Sequence, residues 1–151
     1  MKVAIITSKK SRFWPGILSD WFTGCKAYHV GFYSDYTKIF YDMNVMRRRQ
    51  PWELYYNPEK MTVDMFECPV LEKHLNEMIL DRTETYGVAD YFLFIARWLG
   101  FKVKNRKGLI CSELVNNTLV LYGADTPWPV NGPPPSPCDI LEWYNNGITT
   151  K

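Results

Sequence analysis

The chain has 151 residues, 46% hydrophobic and 23% charged, a profile that predicts one globular domain with a core of ordinary size and no covalent staple needed to explain folding. A formal charge of +2 is too small to point to nucleic acid, and no stretch approaches the ~20 apolar residues of a membrane span. Cysteines at 25, 68, 111 and 138 form no CxxC pair, and two histidines do not complete a zinc set, so no zinc site is expected.

In chain order, Lys2 to Thr7 (KVAIIT) is short and β-branched and predicts a strand. Pro15 and Gly16 mark a turn, and residues 17–22 suit a brief helix ended by Gly24. Ala27 to Tyr33 and Lys38 to Met43 predict a β-hairpin around the polar Ser34-Asp35-Tyr36-Thr37. Strict alternation places Tyr28, Val30 and Phe32 on one face, with Ala27, His29, Gly31 and Tyr33 on the other. Arg47-Arg48-Arg49 and the cluster Lys102 to Lys107 are expected to be solvated loops.

Met61 to Cys68 predicts a further strand. The period then changes. Val70, Leu71, His74, Leu75, Met78 and Ile79 recur at helical spacing over 70–81, with His74 inside the apolar stripe and therefore read as packed. Residues 89–99 predict a buried helix, and 111–121 a third one with Leu114, Val115, Thr118, Leu119 and Tyr122 on one side, closed by Gly123. Thr126 to Pro137 holds six prolines and is expected to be an ordered loop, followed by a helical turn from Asp139. The fold class expected is α+β, in a single domain spanning 1–151.

Cys111 opens its helix after the break at Gly108. Unpaired backbone N–H groups at a helix start stabilise a thiolate, and they also suit the oxyanion formed when an acyl carbon is attacked. A free cysteine is more often a small buried hydrophobe, so position alone does not decide. His29, mid-strand in A-Y-H-V-G-F-Y, has a fixed direction and can face a cysteine across a sheet–helix interface. A third group must hold the imidazole tautomer. Asp42, 13 residues on in the hairpin partner, can stand beside the ring; Asn44 is the second candidate on the same face, and Asp35 lies in the turn.

The segment W-P-G-I-L-S-D-W-F-T-G-C-K-A-Y-H-V-G-F-Y with K-I-F-Y-D, then I-C-S-E-L-V, then P-P-S-P-C-D (Pro134 to Asp139) resembles the circularly permuted papain-like, NlpC-type cysteine hydrolases of the YiiX/YaeF-like group. The likeness runs from about Trp14 to Asp139. The family's G-D-hydrophobic opening is absent, and Cys25 stands where that family carries a small residue.

The resemblance implies a permuted papain-like fold, a small antiparallel sheet packed against helices. It also implies an amidase or peptidase with Cys111 as nucleophile, His29 as general base and acid, and Asp42 orienting the ring, with no metal or organic cofactor needed. Ser112 and Glu113 are expected to cap and orient the helix start. The partner is then a peptide, cell-wall or acyl substrate, with no nucleic acid and no integral membrane segment. A lipid acyl hydrolase or acyltransferase, in the manner of lecithin retinol acyltransferase, and an inactive binding module on the same scaffold are the competing functions. The opening MKVAIITSKK has the wrong order for a secretory signal, so a cytoplasmic location, or delivery by a phage or secretion system, is expected.

Overall fold

The β-branched and aromatic runs at 2–7, 27–33, 39–43 and 61–67 pair as strands because each presents an apolar side chain at every second position to a shared surface. The computed structural model describes residues 1–9, 25–44, 46–80, 111–130 and 132–147. The helices expected at 17–22 and 89–99 and the basic cluster at 102–107 lie outside the described residues. The strands are β1 (Lys2–Ser8), β2 (Ala27–Tyr33), β3 (Ile39–Asn44), β4 (Met46–Pro51) and β5 (Met61–Glu67). The helices are α1 (Trp52–Tyr55), α2 (Glu72–Leu80), α3 (Cys111–Leu121) and α4 (Pro137–Asn145).

The strands form one antiparallel sheet in the order β4-β3-β2-β1-β5. Val3, Ala4, Ile5 and Ile6 of β1, an interior strand, are all fully buried, so both faces of the sheet are covered. Val3, Ile5, Val30, Phe32, Tyr41 and Met43 face α2, α3 and α4 in the larger core. Ala4, Ile6, Tyr33 and Phe40 form a smaller one with Trp52 and Tyr55 of α1. The observed class is α+β, as the residue pattern predicts.

Three features depart from the sequence reading. A register shift between Ile6 and Thr7 pairs Ile6 with His29 but Thr7 with Ala27, leaving Tyr28 as the extra residue of a bulge. Alternation is thereby reset: Ala27 joins Val30 and Phe32 in the larger core, and Tyr28 packs with the smaller one. Next, Arg47-Arg48-Arg49 is no loop but the middle of β4, an edge strand paired along β3 from Ile39↔Pro51 to Asn44↔Met46. Charge on an edge strand deters pairing with other chains, and here each arginine also has a partner within the fold. Arg47 donates to the Met78 carbonyl (2.9 Å) and Arg49 to Asn76 Oδ1 (3.0 Å), both on α2. Finally, Cys25 is joined to Cys138 by a disulfide across a separation of 113 residues. It ties the approach to β2 to the first turn of α4, and closing so long a loop contributes about 2–5 kcal/mol.

Helix ends follow local chemistry. Gly123, at φ +86°, closes α3 with its own N–H on Val120 O (3.1 Å) and that of Ala124 on Leu119 O (2.9 Å), the paired bonds of a Schellman motif. Ser136 caps α4 in a reciprocal box with Asp139, with Pro137 in the first turn. The S-P-x-D signature is thus a helix start, and α4 runs well beyond a single turn.

Candidate active site

β2 and β3 are paired only at Phe32↔Tyr41 and Tyr33↔Phe40. Toward His29 the two strands part, and α3 packs over both. Gly31 sits at the fork. A Cβ there would stand 2.5 Å from the Tyr41 carbonyl oxygen and 2.7 Å from the Phe40 ring, so the bare backbone is what lets β3 come this close. The glycine of H-V-G therefore sets the distance between the strand that carries His29 and the strand that carries Asp42.

Across the fork the His29 Nε2 stands 2.8 Å from Asp42 Oδ2. The Cys111 sulfur also acts on the ring, through charge and a hydrogen bond. Cys111 is the first residue of α3 and keeps 6% of its surface exposed; the His29 side chain keeps 13% and the Asp42 side chain none. The ring is held edge-on to Phe40 and against Tyr55, with centroids 6.2 and 6.1 Å away.

Burial by itself would depress the imidazole, but the Cys111 sulfur and the Asp42 carboxylate outweigh it and push His29 up to about 10. For Asp42, burial acts upward, and the hydrogen bonds from His29 and Arg48 hold the carboxyl below the usual carboxylate value. The arrangement is that of a thiol, an imidazole and a carboxylate in line, with the ring charged near neutrality. Such a line can generate a thiolate nucleophile and return its proton to a leaving group.

Cys111, His29 and Asp42 thus converge as the sequence reading requires. Asp35 is elsewhere, paired with Lys2 at 2.6 Å in the hairpin turn. The Asn44 backbone pairs with Met46 at the far end of β3, and its side chain lies outside the described residues. Cys25 is consumed in the disulfide, which leaves Cys68 and Cys111 as the free thiols among the described residues. The Ser112 hydroxyl, expected to cap α3, is buried without a hydrogen-bond partner among the described residues. Among the described residues, no group of three or more His, Cys, Asp or Glu side chains stands close enough to hold a metal ion.

Arg48 is the residue the sequence reading missed. Its Nε donates to Asp42 Oδ1 at 2.6 Å and its Nη2 to Oδ2 at 2.9 Å, while its guanidinium stands over the Tyr55 ring at 6.0 Å. Only the strand register could have revealed it, because Asp42↔Arg48 are direct partners across β3 and β4. No family model matches the chain, and neither does any curated protein or solved structure. Among the described residues, no helix is long and apolar enough to cross a membrane.

Proposed function

We propose that the chain is a cysteine-dependent hydrolase of the permuted papain-like kind, acting on an amide or ester carbonyl. The observation that carries this reading is the convergence of Asp42, His29 and Cys111, with the carboxylate 2.8 Å from the ring and the sulfur acting on it through charge and a hydrogen bond. His29 takes the Cys111 proton, and the thiolate forms a bond to the carbonyl carbon as the C=O pair moves to oxygen. Unpaired N–H groups at the start of α3 receive that oxyanion. The C–N or C–O bond then breaks, the amine or alcohol leaves with the proton from His29, and a thioester remains. Water, deprotonated by His29, attacks the thioester, releases the acid and restores the thiolate. Asp42 keeps the ring oriented throughout and stabilises its charged form when it holds the proton.

The substrate class is a peptide, cell-wall or acyl compound. A cytoplasmic site of action fits poorly with the Cys25–Cys138 bond, because disulfides persist in oxidising compartments; delivery outward by a phage or secretion system accommodates it.

The test is the rate of alkylation by iodoacetamide at mildly acidic pH, with the labelled thiol located by peptide mass spectrometry. Cys111 is expected to react far faster than Cys68, and Cys111→Ala to abolish the fast phase. Fast labelling confined to Cys68 would sink the assignment. Cleavage of peptidoglycan stem peptides set against cleavage of short acyl esters then separates an amidase from a lipid-directed enzyme, and cleavage of neither, with a sluggish Cys111, marks an inactive binding module.

A further inference from the structure

A carboxylate with no exposed surface is costly unless every charge on it is answered. One imidazole N–H answers one lone pair of Asp42; the remaining partners come from Arg48, whose fork closes on both oxygens at 2.6 and 2.9 Å. Oδ2 accepts from His29 and Arg48 together, so the fork fixes which oxygen faces the ring and in what plane. Two elements make this geometry rigid. Asp42↔Arg48 are directly opposed in the β3–β4 ladder, and the guanidinium lies over the Tyr55 ring, which itself leans on His29.

We infer that Arg48 is a positioning residue of the proposed site: through its bidentate pair it keeps Asp42 ionised and aimed in acid, and so lets His29 stay charged beside the Cys111 sulfur. The inference rests on the hydrolase reading. The titratable groups around the carboxylate are His29 on β2, Cys111 on α3, Arg48 on β4 and Tyr55 on α1. Tyr28 stands behind Tyr55, and Arg47 lines the same pocket as Asp42 and Arg48. Of these, Arg48 is the fixed cation that answers Asp42 whatever the state of the ring. Without it, Asp42 depends on His29 alone, takes up a proton at higher pH, and ceases to hold the imidazolium.

The experiment is the pH profile of Cys111 alkylation in the full chain, with circular dichroism and the melting midpoint as the check on folding. Arg48→Gln is expected to move the acid limb upward by about one pH unit, the order of a close opposite charge on a carboxylate. Arg48→Lys, which keeps a cation opposite Asp42, should bring most of that displacement back. In an Asp42→Asn background, Arg48→Gln should move nothing, because the carboxylate through which it acts is gone. An acid limb that stays put in folded Arg48→Gln overturns the inference and leaves the hydrolase reading intact. So does a limb that moves downward, as it would if the guanidinium acted mainly by repelling the ring. Should Arg48→Gln not fold, the two Asp42→Asn proteins decide: any movement between them overturns it. A native chain without a fast Cys111 thiol overturns both readings.

Discussion

The chain's two histidines occupy regions that look alike in burial and differ in what surrounds the ring. His74 lies on α2 and stacks flat on Tyr122, with centroids 4.1 Å apart and planes 6° from parallel; its Nδ1 is buried without a hydrogen-bond partner among the described residues. His29 lies where two strands part, and its neighbours present a carboxylate on one side and a sulfur on the other. The first ring is a packing element. The second is placed to exchange a proton. A histidine becomes chemically useful when its ring faces groups that can share its proton and answer its charge.

Glu72 and Asp42 repeat the lesson for carboxylates. Glu72 accepts from the hydroxyls of Ser34 and Tyr41, each at 2.7 Å, and also from Thr37, so it staples the β2–β3 hairpin to α2 through groups that do not titrate near neutrality. Asp42 accepts from an imidazole and a guanidinium, groups that can carry charge.

The sharpest way to break the comparison is to exchange the fates of the two rings. His29→Gln is expected to cut hydrolysis of an active amide or ester by about 10³-fold or more, because both the proton acceptor and the partner of the thiolate are lost. His74→Gln should change the rate by less than about twofold and cost about 1 kcal/mol for the lost stack. Initial rates and urea unfolding of the two variants check this, and a collapse of activity in His74→Gln would undo the contrast. Gly31→Ala tests the fork itself. The added methyl meets Tyr41 O and the Phe40 ring, so β3 must shift, at about 1–3 kcal/mol and with a loss of rate exceeding that of any alanine placed on the exposed turn at Tyr36. An unchanged rate would show that Asp42 tolerates the displacement.

The last prediction concerns stability against pH. His29 is raised from 6.5 to about 10, so the stability it contributes as an imidazolium is complete below about pH 6.5 and is lost as pH rises through about 10. Melting midpoints across that window should fall more steeply in the native chain than in His29→Gln, and parallel slopes would contradict the raised value.

Much of this was legible in the residues. The β2–β3 hairpin, β5, α2 and α3 follow from short-range periodicity and from Gly123 at a helix end, and Cys111, His29 and Asp42 were selected by the requirement for a thiol at a helix start, an imidazole on a strand and an acid on its partner strand. What escaped was non-local or against local preference. R-R-R-Q shows no apolar alternation, and β4 forms because β3 offers it an edge and Asp42, Met78 and Asn76 offer its arginines partners. The Tyr28 bulge is a property of two strands in register, and the Cys25–Cys138 bond joins residues 113 apart.

By itself, then, the sequence determined which segments are helix and strand over much of the described chain, since that depends on residue type and on spacings of a few positions, and it named the thiol, imidazole and carboxylate that the proposed site uses. Only the tertiary structure decided that the sheet forks beside His29, that Tyr28 leaves the face its position assigns it, and that Arg48 rather than a solvent ion answers Asp42. These depend on register between strands, and register is settled by the sum of contacts across a whole sheet rather than by any run of neighbouring residues.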